Sequence, residues 1–173
     1  QQIQQNIEEY GYTVAASLDQ NKSKIGSLTE EALVRLKGQA DCILIEADGA
    51  KRLPLKVPGE WEPVIPDFTD LVVGVIGMDA VGQMIRESCH RPERVAAFLN
   101  KEQTDPVTEA DVIRIAVSEK ALKKAVGQRP YKIFLNKTDL MGKYESAERI
   151  GKELQEQGVH AAWGSLQGRE YYR

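Results

Sequence analysis

The sequence has little cysteine and no apolar run long enough to cross a membrane. Its two cysteines, Cys42 and Cys89, form neither a disulfide framework nor a CxxC zinc motif, and Cys42 is predicted to be a small core residue. A membrane-spanning helix needs about 20 consecutive apolar residues. No such run is present, and neither is a secretory signal. These absences exclude a disulfide-rich scaffold and predict a cytoplasmic protein with no membrane partner.

The sequence also lacks an excess of basic residues. It has 23 Lys and Arg against 26 Asp and Glu, a net charge of −3, so a nucleic-acid partner is not expected. The length of 173 residues suits one domain with its own core, which we expect to cover residues 1–173. The chain opens on Gln1 rather than Met, inside a helix-like stretch. We therefore expect a further segment to precede it.

The most informative stretch is 131–140, which reads YKIFLNKTDL. Its apolar centre predicts a buried strand that ends in the polar cluster Asn136-Lys137-Thr138-Asp139. In open α/β sheets, ligands bind beyond the carboxyl ends of the strands. An Asn-Lys-x-Asp sequence at this place resembles the guanine-recognition motif of GTPases.

The chemistry of this cluster suits guanine. The Asp139 carboxylate can accept two hydrogen bonds from the base, Asn136 can contact the base edge, and the Lys137 stem can lie along the ring. Adenine would leave the carboxylate unpaired, at a cost of about 1–3 kcal/mol. The alternative is an ordinary polar turn, because Asn, Thr and Asp are common turn residues.

A second, weaker motif follows one predicted helix and one predicted strand later. Gly164-Ser165-Leu166 lies where GTPases have a short loop that supports the base with backbone N–H groups. We therefore place Ser165 with the nucleotide site, and the alternative is a plain Gly-Ser turn. The two motifs occur in the same order as in GTPases.

An acidic pair follows another apolar run. Residues 41–47 read DCILIEA, which predicts a parallel-sheet strand covered on both faces. Glu46 and Asp48 are two apart and share one side of an extended chain, so they could hold a hydrated Mg²⁺ together with phosphates. The alternative is an Asp-Gly turn in which Glu46 pairs with Lys51 or Arg52.

The segment 50–70 contains four prolines and predicts a long loop that is functional or mobile. At its start, Lys51 and Arg52 could face phosphate or balance nearby acids. The run LVVGVIG at 71–77 predicts a second buried strand, and Asp79 follows it at the same sheet edge.

Cys89, His90 and Arg91 form a further cluster. They could contact a metal or a phosphate, since Cys and His are competent ligands. They could equally lead into a helix, with Cys89 buried and His90 hydrogen-bonded. The second interpretation is favoured over a metal site because no further ligands recur at useful spacing.

Apolar periodicity and capping residues predict the remaining elements. The expected strands are 12–16, 41–47, 71–77, 132–135 and 159–163. The expected helices are 1–9, 27–37, 92–99, 108–126 and 146–157, and the fourth of them could restart at Ser118. A polar loop is expected at 18–27. Alternation of strands and helices predicts an α/β three-layer sandwich with a mostly parallel sheet. Right-handed crossovers would bring the acidic pair, the turn after Gly77 and the Asn136–Asp139 cluster to one edge.

The chain resembles the YqeC family along nearly its whole length. The resemblance is carried by EADGAK at 46–51, PLK at 54–56, EPVIP at 62–66, GVIGMDAVG at 74–82, HRPE at 90–93 and LNKTD at 135–139. It implies a P-loop NTPase-like fold that binds GTP and Mg²⁺. It also implies a role in maturing a selenium-dependent molybdenum hydroxylase, with the apo-enzyme or a cofactor precursor as partner.

One part of the P-loop pattern is missing. The sequence contains no GxxxxGK[ST] stretch, whose backbone N–H groups cradle phosphates. The family carries a Gly-rich, Lys-containing loop upstream of the region that this chain matches. The resemblance therefore implies either that this loop precedes Gln1, which we favour, or that NTPase activity is lost.

Three functions remain open from the sequence. The first is a nucleotide-binding accessory protein that hydrolyses GTP slowly and switches the loop 50–70. The second is a non-catalytic delivery module that uses the proline-rich loop with His90 and Arg91. The third is a nucleotidyl or phosphoryl transferase acting on a cofactor precursor. No general base is identified.

Overall fold

The structure is a computed structural model of the chain and describes residues 2–18, 25–167 and 170–172. The chain forms two compact units, Gln1–Glu46 and Ala47–Arg173. A single-domain organisation stays a prediction. Among the described residues, no helix is both long and apolar enough to cross a membrane.

In its described residues, the first unit contains two helices and a pair of short antiparallel strands. Helix α1 spans Gln2–Tyr10, strands β1 (Ser17–Leu18) and β2 (Ile25–Gly26) pair antiparallel, and helix α2 spans Glu30–Leu36. Both predicted helices are confirmed. The Thr29 hydroxyl caps α2 by accepting a hydrogen bond from the Ala32 N–H at 3.3 Å.

The polar loop predicted at 18–27 falls mostly on 19–24, which lies outside the described residues. In helix α2, Leu33 and Leu36 are half-buried, and no residue of the helix is fully buried.

Two predicted strands of this region are wrong. Residues 12–16 and 41–47 are not strands. Leu44 is 92% exposed and Cys42 is exposed rather than in a core. An apolar run becomes a buried parallel strand only if neighbouring strands hydrogen-bond to it, and among the described residues no strand pairs with either segment.

The second unit is built on a four-stranded, mostly parallel sheet. Its strands are β4 (Val72–Gly77), β6 (Tyr131–Asn136), β7 (His160–Ser165) and β8 (Glu170–Tyr172), in the order β4-β6-β7-β8. The first three are parallel and β8 is antiparallel to β7. The predicted α/β class with a mostly parallel sheet is confirmed, and the arrangement fits a three-layer sandwich.

Short elements between these strands complete the unit. They are the parallel pair β3 (Leu55–Lys56) and β5 (Cys89–His90), a 3-10 helix at Met78–Ala80, and helices α3 (Ile85–Ser88), α4 (Pro92–Leu99), α5 (Glu109–Val117) and α6 (Lys143–Glu156). Thr108 and Asp111 form a capping box at the start of α5. The predicted α4, α5 and α6 are therefore confirmed.

The predicted continuation of α5 beyond Ser118 is wrong. The backbone of Ser118 is extended, with ψ 130°, and residues 119–125 form turns. The Ser118 carbonyl accepts hydrogen bonds from the N–H groups of Ala121 and Lys123. Tight turns bury Ala121 and Val126, as a helix would. The apolar spacing of the sequence therefore did not distinguish a helix from a series of turns.

The two faces of β4 differ in burial. On one face Ile76 is buried, together with Ile133, Leu135 and the residues of α5 and α6 that belong to the same core. On the other face, Val73 and Val75 are 48% and 55% exposed. The helices of this unit therefore cover one face of β4, and the other face of this strand stays partly exposed.

Candidate functional site

The carboxyl ends of three parallel strands meet at one edge of the sheet. Gly77 at the end of β4 pairs with Asn136 at the end of β6, which in turn pairs with Gly164 near the end of β7. The loops that follow these strands are therefore neighbours. This is the position at which open α/β sheets bind ligands.

Asn136 joins the two predicted nucleotide motifs. Its Oδ1 accepts hydrogen bonds from the backbone N–H of Lys137 at 2.8 Å and from that of Leu166 at 3.3 Å. The Thr138 N–H also donates to the Gly164 carbonyl at 3.3 Å. These bonds hold the Asn136–Asp139 loop against the Gly164–Leu166 loop, so the motifs that the sequence places 30 residues apart form one surface.

Lys137 forms an ion pair that the sequence did not predict. Its Nζ lies 2.6 Å from Oδ2 of Asp79, in the 3-10 helix after β4. Oδ1 of Asp79 is buried and has no hydrogen-bond partner within the described part of the chain. Lys137 also has a left-handed φ of 66°. Such backbone strain persists where surrounding contacts enforce it, often at functional sites.

Asp139 and Ser165 have opposite exposure. Ser165 is 2% exposed, which places it inside the Gly164–Leu166 loop. Asp139 is exposed, and its carboxylate has no hydrogen bond or ion pair with any residue in the ranges described above. A carboxylate at a sheet edge with no protein partner is available to a ligand.

Gly77 allows the loop segment before β3 to approach this edge. Its N–H donates to the Pro54 carbonyl at 2.9 Å. A Cβ at position 77 would lie 2.5 Å from Asp79 Oδ1 and 2.6 Å from Pro54 Cβ. The atoms of Pro54 and Asp79 therefore leave no room for a side chain at position 77.

Replacing Gly77 with alanine is expected to destabilise the protein. Overpacking of this kind costs about 1–3 kcal/mol, and chemical denaturation followed by circular dichroism measures it. Gly82→Ala is not a matched control because Gly82 has a φ of +85°. Gly38→Ala is a suitable one, since nothing lies within 4 Å of a Cβ there. Equal stability of Gly77→Ala and the parent protein would contradict the close packing.

A buried ion-pair network joins residues of the proline-rich loop 50–70 to Asp48 and Arg91, and the sequence did not predict it. Lys56 is 6% exposed, and its Nζ donates to Asp48 Oδ1, to Glu62 Oε2 at 2.9 Å and to the Gly49 carbonyl at 2.9 Å. Glu62 also accepts two hydrogen bonds from Arg91, at 2.7 and 2.9 Å. The available signal was Lys56 itself, a charged residue between the apolar Leu55 and Val57.

The network shifts the pKa values of its two acids in opposite directions. Burial raises the pKa of Asp48 despite its ion pair with Lys56. Burial also raises the pKa of Glu62, but hydrogen bonds from the Gly59 N–H, Arg91 and Lys56 outweigh that effect and hold the pKa at about 2. Glu62 is therefore ionised throughout the physiological range.

Acid should weaken this network through Glu62. The folded-state pKa of about 2 lies below the ordinary value of 4.5, so the stabilisation is complete above pH 4.5 and is lost as the pH falls towards 2. We expect the free energy of unfolding to drop by about 1–3 kcal/mol across that window because of this group. Urea titrations at several pH values measure the slope. Glu62→Gln should flatten it, and an unchanged slope would contradict this assignment.

The residues proposed for Mg²⁺ stay a prediction. Glu46 belongs to the first unit and is exposed, and Asp48 belongs to the second and is bonded to Lys56. Within the ranges that the structure describes, no group of three or more His, Cys, Asp or Glu could hold a metal ion. Two carboxylates would therefore need phosphate oxygens to complete a magnesium site.

Lys51 and Arg52 occupy a strained turn. Their φ angles are 50° and 64°, and the Leu53 N–H donates to the Ala50 carbonyl at 2.9 Å. Left-handed φ at both central positions normally favours glycine or asparagine. Both side chains are exposed, and neither forms an ion pair with another residue in the described part of the chain.

His90 differs from its prediction, whereas Cys89 does not. Cys89 is buried as expected, with its Sγ 3.7 Å from the Ser88 hydroxyl. His90 is 9% exposed, and its ring makes no hydrogen bond to a described residue, although its nitrogens keep contact with solvent. Burial and the positive charges of Lys56, Arg91 and Lys51 lower its pKa.

Comparison with known proteins gives the family. A family model described as YqeC protein matches residues 1–93. The uncharacterized protein YqeC of Escherichia coli strain K12 is 29% identical over 152 residues, which is 85% of this chain and 59% of that protein. No solved structure matches. The family model covers more than half of the chain, and the chain therefore belongs to the YqeC family.

Proposed function

We propose that this protein binds a guanine nucleotide, with the base held at the edge formed by the ends of β6 and β7. The observation that carries the proposal is the hydrogen bond from the Leu166 N–H to Asn136 Oδ1. It joins the Asn-Lys-x-Asp cluster to the Gly164–Leu166 loop. The exposed and unpartnered carboxylate of Asp139 lies in the same cluster.

The roles of the residues follow from their donors and acceptors. Asp139 accepts hydrogen bonds from the N1–H and the exocyclic amine of guanine. Asn136 fixes the loop, and its amide N–H₂ group remains available to the base edge. Asp79 orients the Lys137 side chain, whose stem packs along the ring. Adenine has no donor pair for Asp139, so discrimination arises from an unpaired carboxylate.

The phosphate end of the site is proposed from the resemblance. Mg²⁺ would be held by Asp48 and Glu46 with phosphate oxygens. Lys56 already bonds to Asp48, so metal binding would replace part of that ion pair. Hydrolysis would be slow and would switch the loop 50–70. The phosphate-cradling motif is absent from these 173 residues, and tests of triphosphate binding and hydrolysis therefore use the full-length protein.

The cellular role is proposed at the level of the family. The resemblance implies an accessory protein that matures a selenium-dependent molybdenum hydroxylase in the cytoplasm. The chain spans 59% of the length of the Escherichia coli relative. This role is therefore proposed for the whole protein and not for these 173 residues alone. A transferase acting on a cofactor precursor would use the same nucleotide site.

The base-binding half can be tested on this chain by nuclear magnetic resonance. Adding guanosine monophosphate should shift the amide resonances of Lys137, Thr138 and Leu166. Adenosine monophosphate at the same concentration should leave them in place. Asn136→Ala should abolish the guanosine response, because it removes one of the two hydrogen bonds between the loops and also the amide assigned to the base edge. Equal shifts with both nucleotides, or none, would contradict the proposal.

One observation supports the delivery-module alternative. Trp61 and Val64 in the proline-rich loop are 84% and 64% exposed, and exposed aromatic residues are enriched where proteins contact partners. In that function the loop binds an apo-hydroxylase. Partner binding that is independent of nucleotide would favour it over the nucleotide switch.

A further inference from the structure

We propose that the free edge of β4 (Val72–Gly77) takes a further parallel strand, and that a helix joined to this strand covers the exposed face of the sheet. Both elements would come from the part of the full-length polypeptide that lies outside these 173 residues. The inference does not rest on the guanine site, because it uses no residue of the Asn136–Asp139 or Gly164–Leu166 loops.

Alternate N–H groups of β4 point to an edge that carries no strand. Among the described strands, β4 is outermost in the order β4-β6-β7-β8 and pairs with β6 alone. The Gly77 N–H points away from β6 and donates to the Pro54 carbonyl. Since successive residues of a strand alternate in direction, the N–H groups of Val73 and Val75 also face away from β6. Neither has a partner within the described ranges.

One face of the same sheet lacks a covering layer. The side chains of Val73 and Val75 are about half exposed. Val75 is in register with Phe134 of β6, which is in register with Ala162 of β7, and the latter two are half-buried. The helices of the unit cover the opposite face, on which Ile76 lies. Parallel sheets normally carry helices on both faces, so a further layer is expected here.

The composition of β4 is that of a strand paired on both sides. Residues 72–77 read VVGVIG, with no charged residue and no proline, and their register with β6 contains no bulge. Proteins protect exposed edge strands with charges, proline, bulges or a covering segment. Of these, β4 has only the contact of its last residue with Pro54. An unprotected apolar edge would promote aggregation, whereas a neighbouring strand removes that hazard.

A strand and a helix of the same polypeptide account for the edge and the face together. The strand would accept hydrogen bonds from the N–H groups of Val73 and Val75, and the helix of its crossover would pack on the face beside them. The 152 matched residues cover 59% of the Escherichia coli relative, and the rest of that protein is far longer than the roughly 30 residues of such a unit. A second copy of the chain would pair edge to edge but would place no helix on the face.

An unpaired acceptor lies where the added strand would end. A parallel neighbour of β4 has its carboxyl end at the same edge of the sheet as Gly77. The loop after it would therefore lie near Asp79, whose Oδ1 is buried and has no hydrogen-bond partner in the described part of the chain. Buried polar atoms are normally hydrogen-bonded, and an N–H group of that loop can donate to this oxygen.

Hydrogen exchange, measured residue by residue by nuclear magnetic resonance, tests the proposal. In this chain the amides of Val73 and Val75 should exchange rapidly, while those of Gly74 and Ile76, which face β6, should be protected. In the full-length protein all four should be protected. We expect the Val73 and Val75 amides to exchange at least about a hundredfold more slowly there than in this chain.

Val75→Glu gives a second readout. In the full-length protein the carboxylate would lie beneath the added helix, so the melting temperature should fall by about 4 °C or more. In this chain the same side chain stays in solvent, and the change should be below about 2 °C. Val64→Glu places the same charge at an exposed valine of the proline-rich loop and should cause a similarly small change in both proteins.

Rapid exchange of the Val73 and Val75 amides in the full-length protein would overturn the proposal. Protection of both amides already in this chain would overturn it as well, because the edge would then be covered from within the 173 residues. Protection that appears only as the protein concentration rises would assign the edge to a second copy instead. Protection in the full-length protein at every concentration supports the added strand. None of these readouts involves a nucleotide, so their outcome is independent of the guanine proposal.

Discussion

Replacing Asp139 with asparagine should switch the base preference of the full-length protein from GTP to XTP. Guanine presents two donors to the carboxylate, whereas xanthine presents an acceptor in place of the exocyclic amine. The asparagine amide can donate to that acceptor and would oppose a guanine donor. Hydrogen bonds to charged groups contribute about 1.5–3 kcal/mol each, so the ratio of GTP to XTP affinities should change by about a hundredfold or more.

Isothermal titration of both nucleotides with both proteins measures this ratio. Asp70→Asn is the matched control, because Asp70 is also exposed and lies outside the Asn136–Asp139 cluster. It should keep the parent preference for GTP. If Asp139→Asn and Asp70→Asn behave alike, Asp139 does not read the base.

Replacing Lys56 with methionine should cause the largest loss of stability. The side chain is 6% exposed and bonds to two acids and a carbonyl. Methionine fills a similar volume but leaves Asp48 and Glu62 with less compensation for burial. Removing one partner of a buried ion pair costs about 3–5 kcal/mol. Urea denaturation of the variant and the parent protein measures the difference.

Two further variants make this result specific. Lys152→Met on the exposed face of α6 should cost less than about 0.5 kcal/mol. Asp48→Asn in the Lys56→Met background should recover part of the loss, because an uncharged amide is cheaper to bury than an unpaired carboxylate. A loss below about 1 kcal/mol in Lys56→Met, typical of a surface pair, would show that the network contributes little.

The part of the fold that could be predicted from the sequence is the part in which local pattern and tertiary packing agree. The runs at 72–77 and 131–136 are short, apolar and flanked by turn residues, and each forms a parallel strand with a neighbour on at least one side. The cap at Thr108 is a local hydrogen-bond pattern, so the start of α5 was also predictable. Right-handed crossovers also predicted that the ends of these two strands lie at one edge of the sheet, where Gly77 pairs with Asn136.

The errors arise where a distant neighbour decides the structure. The run at 41–47 has the composition of a buried strand, but a strand needs a partner and none of the described strands pairs with it. The segment after Ser118 has helical spacing, and tight turns satisfy the same burial. Apolar periodicity therefore predicts which residues are buried more reliably than it predicts the secondary structure in which they lie.

The candidate site was predictable residue by residue but not in its contacts. Asn136 and Leu166 were singled out as parts of two motifs, and only the structure shows the hydrogen bond between their loops. The ion pair of Lys137 with Asp79 and the network around Lys56 join residues far apart or in irregular loops. No periodicity encodes such contacts, because they depend on how the loops pack over the sheet edge.

The most direct test of the account is the binding of GTP and ATP to the full-length protein in the presence of Mg²⁺. Equilibrium dialysis gives both dissociation constants under identical conditions. The account predicts that GTP binds at least about tenfold more tightly than ATP, since adenine leaves the Asp139 carboxylate unpaired. Equal affinities, or the absence of binding by either nucleotide, would contradict it and favour the delivery module.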